Sequence, residues 1–410
     1  MFERNHTPEL LAPAGGRAQL EAAVHFGADA VYFACDRFGL RQRAENFALD
    51  EVPSAVACAH ASGARAYVAL NTLMDADDVA ALPAYLEAFD AAGADALIVS
   101  DLGALSLARK HAPSLELHVS TQAGVMNAEA ARMWHELGAS RVVCAREMSV
   151  ADIARLRADA PRDLEIEAFV HGAMCMAVSG RCLISSVMTG RSGNKGHCAQ
   201  PCRWSYALVE ERRPGEFYPV EEDVRGAYVM NARDLNMIAH LDDLIEAGVD
   251  SLKIEGRNKK AFYVATAVHA YRSVLDGADV SEAAAELDAI SHRPYSTGFY
   301  YGRAEQSPER DGYVRKFVHA ATVERAGARV VVVCHNRFRE GDELEVLSPR
   351  RPVARVRVHN LAWLPASAPD DPSDAAPVPV AVANRSAERY SFEVHAALAP
   401  GDYLNSLPRK

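Results

Sequence analysis

The chain has 410 residues, of which 49% are hydrophobic, 24% charged and 7% aromatic, and its formal net charge is −11. This length predicts one large domain and a smaller one, and the composition excludes a disulfide-stabilised miniprotein and a disordered chain. The negative charge excludes a uniformly basic nucleic-acid binder. No run of about 18 apolar residues is present, so we expect a cytoplasmic protein that does not enter a membrane.

Short strand-like runs alternate with Ala-rich amphipathic stretches through the first 275 residues. This alternation predicts βα units around a parallel sheet. Eight predicted strands favour an α/β fold of the (β/α)8, TIM-barrel type over a doubly wound sheet, because polar residues follow nearly every strand, where a barrel has its catalytic mouth. The strands are predicted at Glu9–Pro13, Ala30–Phe33, Arg65–Leu70, Ala96–Ser100, Glu116–Ser120, Arg141–Ala145, Glu165–Val170 and Ser251–Glu255.

Acidic residues and one histidine near the predicted strand ends are candidates for catalysis. In the seventh strand, Glu167 and His171 share a face by the two-residue period, so both are expected to point into the mouth. A buried ion pair or hydrogen-bonded network is the alternative for them. Asp101 and Glu255 end other strands, where barrel catalysts usually lie, and for each the alternative is a structural cap.

The alternation is broken once, by a predicted insertion at 171–250, where a βα loop normally takes a handful of residues. Four cysteines fall within it, spaced Cys-x6-Cys-x15-Cys-x3-Cys, and clustered thiols in a cytoplasmic protein favour metal binding or catalysis over disulfides. The spacing alone leaves open an iron–sulfur cluster, a tetrathiolate zinc site and unligated thiols. The four are Cys175, Cys182, Cys198 and Cys202.

The pattern changes in the last hundred residues, so we place the domain boundary between 1–309 and 310–410. Strands separated by turn residues, without an intervening helical period, predict a small antiparallel β-barrel. Pro365–Pro377 is predicted to be a long loop within it. The segment 310–360 carries eleven Lys and Arg against six Asp and Glu. The strands are predicted at Val330–Cys334, Glu343–Leu347, Val353–Val358, Ala381–Ala383 and Tyr390–Val394.

Several motifs resemble those of peptidase family U32, also called the collagenase-like peptidases. The runs Glu167–Cys175 and Ser179–Ser186 resemble the signature of that family. Leu10–Gly15, Gly27–Phe33 and Ser251–Arg257 are similar to further family motifs in order and spacing. The resemblance covers essentially the whole chain.

Within this family the chain most resembles the tRNA 5-hydroxyuridine synthases, which act on the wobble uridine and depend on prephenate. The similarity lies in Gly196–Tyr206, Met230–Leu235 and Asn336–Pro349. Sister branches hydroxylate a ribosomal-RNA cytidine or the quinone ring of ubiquinone precursors. The resemblance implies one 4Fe-4S cluster on the four insertion cysteines. No cysteine stands between Cys202 and Cys334, so Cys202 is the expected fourth ligand.

The resemblance also implies that prephenate binds in the barrel mouth as a co-substrate. Its two carboxylates favour guanidinium partners. We expect Arg146, Arg257 and Gln122 to bind it, with Arg41 and Arg43 as further candidates. A solvated salt bridge is the alternative for each arginine.

The implied macromolecular partner is tRNA, whose anticodon arm we expect beside the basic segment 310–360. The alternative is a solvated basic face. The predicted phosphate contacts are Arg315, Lys316, Arg337, Arg339, Arg350 and Arg351.

Two other functions compete with RNA hydroxylation. A peptidase would suit the family name, but the His-Glu-x-x-His and Gly-x-Ser-x-Gly motifs are absent from the sequence. A cysteine peptidase using Cys175 with His171 stays open, although three companion cysteines would then have no purpose. The third possibility is a non-catalytic RNA-binding or chaperone-like module, in which the polar strand ends are only scaffold.

Overall fold

The computed structural model describes residues 7–41, 44–175, 177, 181–204, 207–209, 217–219, 233–302, 304, 317–365 and 377–406. From residue 9 to residue 173 strands alternate with helices as predicted, and the observed strand bounds agree with the predicted ones within three residues. The elements in chain order are β1 (Glu9–Pro13), α1 (Arg17–His25), β2 (Ala30–Phe33), α2 (Val52–Ala61), β3 (Arg65–Leu70), α3 (Ala76–Ala91), β4 (Ala96–Val99), α4 (Leu102–His111), β5 (Glu116–Val119), α5 (Ala128–Glu136), β6 (Arg141–Val143), α6 (Val150–Asp159) and β7 (Glu165–Ala173).

The next part of the chain holds short elements of the cysteine-rich insertion and the last barrel strand. That strand and the helix after it lie where the sequence predicts them. The elements are α7 (Ile184–Thr189), β8 (Ala207–Val209), β9 (Phe217–Pro219), β10 (Asp234–Asn236), α8 (Leu241–Glu246), β11 (Ser251–Ile254), α9 (Ala261–Leu275), α10 (Val280–Leu287) and β12 (Tyr295–Ser296).

Eight parallel strands close into a barrel. Each strand from β1 to β7 pairs in parallel with the next, and β11 pairs with both β7 and β1, with Leu252 opposite Ala168 and Leu10. This closure confirms the predicted (β/α)8 barrel, since a doubly wound sheet would leave two open edges. On the far side of β7, β10 pairs antiparallel with it and continues to β12.

The helices pack around the barrel through a continuous apolar layer formed with the outward-facing strand residues. Helix α9 is buried along most of its length, from Tyr263 to Arg272. A helix that is apolar on all sides needs cover all round, and α1, α10 and the barrel wall provide it. In the described residues no helix is long and apolar enough to cross a membrane.

The barrel interior contains a buried charge network near the amino-terminal ends of the strands. Arg141, whose side chain is 2% exposed, donates to Glu9 at 2.6 Å, Glu165 at 2.7 Å and Glu167 at 3.2 Å. The Tyr67 hydroxyl also donates to Glu9. One guanidinium thus contacts three carboxylates in the floor of the barrel.

The C-terminal region is an antiparallel β-domain with its own apolar core, as predicted. Its main sheet has the order β17-β16-β22-β13-β14-β21-β18-β19, and β15 pairs with β20. The predicted boundary at 309/310 and most of the predicted loop lie outside the described residues. The strands are β13 (Val318–Arg325), β14 (Arg329–Cys334), β15 (Phe338–Arg339), β16 (Glu343–Leu347), β17 (Ala354–Arg357), β18 (His359–Leu364), β19 (Val378–Pro379), β20 (Val382–Ala383), β21 (Arg389–Glu393) and β22 (Tyr403–Ser406).

The β-domain packs on the outside of the barrel against α1 and α9. The ring of His319 stacks on Phe262 at the start of α9, with centroids 5.4 Å apart. Further along α9, the Nε2 atom of His269 lies 3.0 Å from the carbonyl oxygen of Arg351. Helix α9 follows a barrel strand, so its first turn lies on the mouth side, and that is where the His319 end of the β-domain is held.

Candidate active site

A pocket opens at the carboxyl ends of the barrel strands, the predicted mouth. It encloses about 470 Å³ including its opening. Four cationic side chains line it against one carboxylate, and aromatic rings form part of its wall. The lining residues are Tyr32, Leu40, Arg41, Ala69, Asn71, Ile98, Ser120, Thr121, Gln122, Val143, Arg146, Phe169, Lys253, Glu255 and Arg257.

Glu255 is the carboxylate of this pocket, and it lies directly after β11 as predicted. Its oxygen Oε1 is 3.2 Å from Nη2 of Arg41. Burial acts to raise the pKa of Glu255, but the charges of Arg41, Arg146 and Lys259 outweigh it, so the pKa is lowered. Glu255 is therefore ionised at neutral pH, which suits it to hold Arg41 in place or accept a proton, and not to act as a general acid.

Arg257 supplies a buried cation with spare hydrogen-bonding capacity. Its side chain is 4% exposed, and its Nη1 atom has no hydrogen-bond partner among the described residues. Burial lowers the pKa of Arg257 to about 10, still well above neutrality. An uncompensated buried guanidinium is unfavourable, so this atom favours a bound anion such as a carboxylate.

The loop after β1 lies in close contact with the backbone of Arg257. A Cβ atom on Gly15 would stand 1.9 Å from the carbonyl oxygen of Arg257, so only glycine allows the two loops to approach. The two motifs Leu10–Gly15 and Ser251–Arg257 are thus joined physically at the mouth.

The other predicted binding residues, Arg146 and Gln122, also lie in the pocket. Arg146 donates from Nη1 to the carbonyl oxygen of Ala173 at 2.7 Å, and its guanidinium lies 4.0 Å from the ring centroid of Phe169. Gln122 accepts a hydrogen bond from Asn71 Nδ2 at 3.2 Å. Arg41 lines the pocket too, whereas Arg43 lies outside the described residues.

Lys253, which sequence reasoning missed, lies between the mouth and the charge network. Its Nζ atom is 2.6 Å from Oε1 of Glu167 and 4.3 Å from the ring centroid of Tyr32. Glu167 is fully buried below the pocket, where it forms ion pairs with Lys253 and Arg141. This is the buried ion pair predicted as the alternative to a catalytic role. The two-residue period of β11 could have predicted this position, because it points Lys253 and Glu255 to the same inner face.

His171 does not share a face with Glu167, so that expectation was wrong. The pairing of β7 with β11 passes from Phe169 to His171 without Val170, a bulge that turns the histidine away from the pocket. Its ring packs instead against Tyr263, Tyr271 and Tyr295, with Nδ1 3.5 Å from the Tyr271 hydroxyl. Burial lowers its pKa to about 3, so the imidazole is neutral.

This placement also separates His171 from Cys175. The imidazole is completely buried among tyrosines, whereas Cys175 is exposed. The thiol–imidazole pair that a cysteine peptidase would need is not formed in the described part of the chain.

Asp101 lies at the strand end where it was predicted but does not line the pocket. Its backbone is extended and its Oδ1 atom accepts from the Ala104 N–H at 3.0 Å, capping α4. The alternative of a structural cap accounts for its position, since an aspartate at this place satisfies an otherwise unpaired helix amide.

The described part of the cysteine-rich insertion folds over the rim of the mouth. Asn194 ties it down, since its carbonyl oxygen accepts from Leu73 N and its side chain accepts from Cys182 N, both at 3.1 Å. Lys195 forms an ion pair with Asp75 at 2.8 Å, at the start of α3.

The four insertion cysteines fit a thiolate-bound centre by their chemistry. Backbone amides approach two of the sulfurs, Ile184 N to Cys182 at 3.4 Å and Gln200 N to Cys198 at 3.3 Å. In the described residues, however, no three side chains among His, Cys, Asp and Glu are close enough to hold a metal ion.

The cysteines outside the insertion are mostly buried, as expected for small core residues. Cys35, Cys144 and Cys334 are buried and Cys58 is half-buried. Burial raises the pKa of the Cys35 and Cys144 thiols to about 12, which makes them inert at neutral pH.

The fold and this site define a class: a (β/α)8-barrel protein with a cationic mouth, a cysteine-rich loop at its rim and a β-domain packed on its side. Residues 15–310 match the model of "Peptidase family U32". The chain belongs to that family.

Three curated relatives show how far the similarity extends. The chain is 38% identical over 357 residues to "tRNA hydroxylation protein P1" of Bacillus subtilis, covering 83% of this chain and 84% of the relative. It is 34% identical over 393 residues to "tRNA hydroxylation protein P" of Escherichia coli, covering 84% and 86%. A 23S rRNA 5-hydroxycytidine synthase of Escherichia coli is 38% identical over 276 residues, covering 67% of this chain but only 40% of that protein.

Proposed function

We propose that this protein is an RNA-modifying enzyme that hydroxylates the wobble uridine of tRNA to 5-hydroxyuridine. The observation that carries the proposal is the similarity, over 83% and 84% of the chain, to two relatives named for tRNA hydroxylation. The rRNA-modifying relative shares only 40% of its own length with this chain, which favours tRNA over ribosomal RNA as the substrate. The cytoplasmic location remains a prediction.

The geometry of the mouth supports a small dianionic co-substrate, which we propose to be prephenate. Arg41, Arg146 and Arg257 surround the pocket, and Arg257 keeps one donor unpaired among the described residues. Glu255 engages only part of this positive charge, since its Oε1 atom contacts Arg41. Two carboxylates would therefore find guanidinium partners without displacing an existing ion pair.

We further propose that Cys175, Cys182, Cys198 and Cys202 hold one 4Fe-4S cluster, which when bound would supply a redox centre at the pocket rim. The support is the donor set and the two N–H···S contacts at Cys182 and Cys198. The surrounding residues keep separate tasks: the arginines bind the organic acid and the insertion covers the mouth.

A peptidase receives no support from the geometry. The candidate nucleophile Cys175 is exposed while His171 is buried against tyrosines, so His171 is not placed to act as a base for this thiol. The family name alone favours that activity, and a name does not replace a site.

Nucleoside mass spectrometry tests the proposed reaction. In a host without a second hydroxylation route, deletion of the gene is expected to remove 5-hydroxyuridine and its derivatives from tRNA, because no other enzyme installs the oxygen. Ribosomal-RNA 5-hydroxycytidine and ubiquinone should stay at wild-type levels, which makes them internal controls. Blocking chorismate supply should reproduce the loss with the protein present. Unchanged tRNA nucleosides after deletion would refute the function.

The predicted phosphate contacts that the structure describes fall into two groups with respect to the mouth. Arg337 and Arg339 follow Asn336, whose side chain donates to the His319 carbonyl oxygen near the first turn of α9. Arg350 and Arg351 lie two turns further along α9, beside His269. Arg315 and Lys316 lie outside the described residues.

We therefore expect the first pair to contact tRNA phosphates and the second pair to serve as a matched control. The double variant Arg337→Glu and Arg339→Glu should weaken tRNA binding and reduce the slope of log affinity against log salt by about 0.7–0.9 per lost phosphate contact. The variant Arg350→Glu with Arg351→Glu should change both less. Filter binding across a salt series measures the slopes. Equal slopes for wild type and both variants would show a solvated basic face.

A further inference from the structure

We infer that Lys253 forms a covalent imine with the carbonyl group of a 2-oxo acid bound in the barrel mouth. This deepens the proposed function by naming the chemical class of the organic acid. It depends on that proposal only in placing the acid in the mouth. Prephenate contains such a 2-oxo acid side chain, but the inference rests on the pocket itself.

The position of Lys253 is the first support. It lies in the middle of β11, opposite Leu11 on one side and Phe169 on the other, and its side chain lines the pocket while being only 4% exposed. A lysine is almost never fully buried unless it is paired, and the partner of Lys253 is Glu167. The Nζ atom of Lys253 lies near two aromatic rings of the pocket wall, 4.3 Å from the centroid of Tyr32 and 5.6 Å from that of Phe169.

The second support is a proton acceptor at contact distance. Oε1 of Glu167 lies 2.6 Å from Nζ, and its other oxygen, Oε2, is 3.2 Å from Arg141. Burial lowers the pKa of Lys253, Arg141 and Arg257 lower it further, and Glu167 opposes them. Lys253 therefore has a larger fraction of neutral amine than an exposed lysine has. The neutral amine is the nucleophile.

The third support is the direction from which a ligand enters. Arg257, with its unpaired Nη1, and Arg146 line the same pocket nearer the mouth. A carboxylate held by these guanidinium groups leaves the adjacent carbon of the acid directed down towards Lys253. A carbonyl at that carbon is the group that an amine attacks, which selects 2-oxo acids over simple carboxylates or phosphates.

The reaction balances without an external oxidant. Glu167 accepts a proton from the Lys253 ammonium, and the amine lone pair forms a C–N bond with the keto carbon while the C=O π pair moves to oxygen. That oxygen takes up two protons, one from the attacking nitrogen and one returned by Glu167, and leaves as water. The net change is one ammonium and one ketone to one iminium and one water.

Reductive trapping with pyruvate tests the inference on the full-length protein. Cyanoborohydride delivers hydride to the iminium carbon, so one chain should gain the mass of pyruvic acid less one oxygen. Of the seven lysines in the sequence, peptide mapping should place the adduct on Lys253, with labelling at least about tenfold higher than at any other lysine, because the pocket holds the acid beside this amine. Malonate, a dianion without a ketone, should suppress labelling by competing for the arginines.

Variants separate chemistry from folding. Lys253→Met and Lys253→Arg should lose the adduct, whereas Lys260→Arg, a substitution in the same loop, should keep it. If the Lys253 variants do not fold, the map of the wild-type adduct still decides. No adduct above a control with cyanoborohydride but without pyruvate, or an adduct confined to the other lysines, would overturn the inference. Lys253 would then be a structural partner of Glu167. The assay contains no RNA, so failed trapping with intact tRNA hydroxylation rejects the imine alone.

Discussion

Replacing Arg141 by Met is expected to lower the free energy of unfolding of the barrel by about 3–5 kcal/mol, as happens when one partner of a buried ion network is removed. Glu9 then loses the guanidinium that donates to it and keeps hydrogen bonds from Tyr67 and Ser251. Glu167 retains Lys253, so most of the cost falls on Glu9. Urea denaturation followed by far-UV circular dichroism at neutral pH measures the loss.

The same substitution should change how stability depends on pH. In the wild type, burial acts to raise the pKa of Glu9, but Arg141 outweighs it and the pKa lies below its ordinary value of 4.5. A lowered pKa in the folded state contributes stability that is present above pH 4.5 and lost as the pH falls through the folded value. Without Arg141 burial dominates, the folded pKa rises, and mild acid should stabilise the variant instead of weakening it.

A matched control is Arg17→Met, which removes an exposed Arg17–Glu21 ion pair at 2.7 Å. It should cost no more than about 1 kcal/mol, because exposed pairs contribute little. Adding Glu9→Gln to Arg141→Met should recover part of the stability by removing the unpaired charge. A loss for Arg141→Met no larger than that of the control would contradict the buried network.

Most of the barrel was predictable because each strand is a short apolar run whose residues are buried. Ala30–Phe33 and Ala96–Val99 are buried at every position, so composition and length identify them without tertiary information. The C-terminal strands were harder. Both β13 and β18 were missed because their pairings shift register, between Val323 and Arg325 and between His359 and Ala362. Such a shift breaks the alternation of apolar and polar residues by which a strand is recognised in a sequence.

The site residues were likewise predictable where they follow from strand position, and not where they depend on how strands pair. The strand-end rule located Gln122, Arg146, Glu255 and Arg257 in the pocket, because parallel strands end at one rim. The two-residue period failed at His171, because a bulge there is a property of the pairing with β11 and cannot be read from β7 alone.

Arg141 was not predictable as a network centre. Its carboxylate partners stand up to 132 positions away in the sequence, so only the closed barrel brings them together. Asp101 was a different case: as an aspartate before a helical stretch, it carried the sequence signature of a helix cap as clearly as that of a catalyst.

Single alanine substitutions of Cys175, Cys182, Cys198 and Cys202 are expected to abolish both bound iron and tRNA hydroxylation. A cluster held by four thiolates loses a ligand in each variant, and the insertion offers no other cysteine to replace it. Anaerobically purified wild-type protein should be brown and each variant pale. Iron and sulfide analysis with visible absorbance measures the cluster, and nucleoside mass spectrometry of tRNA measures activity in the deletion strain complemented with each variant.

Cys58→Ala is the matched control, because Cys58 is half-buried on α2, outside the insertion, and should keep iron, colour and activity. The two readouts separate the parts of the proposal. Four variants that all retain full iron would reject the ligand set, and wild-type protein with one zinc per chain and no iron would reject the cluster. Variants that lose iron yet still restore 5-hydroxyuridine would show that the centre is structural. In that case the cationic mouth with Lys253, Glu255 and Arg257 would have to carry the chemistry.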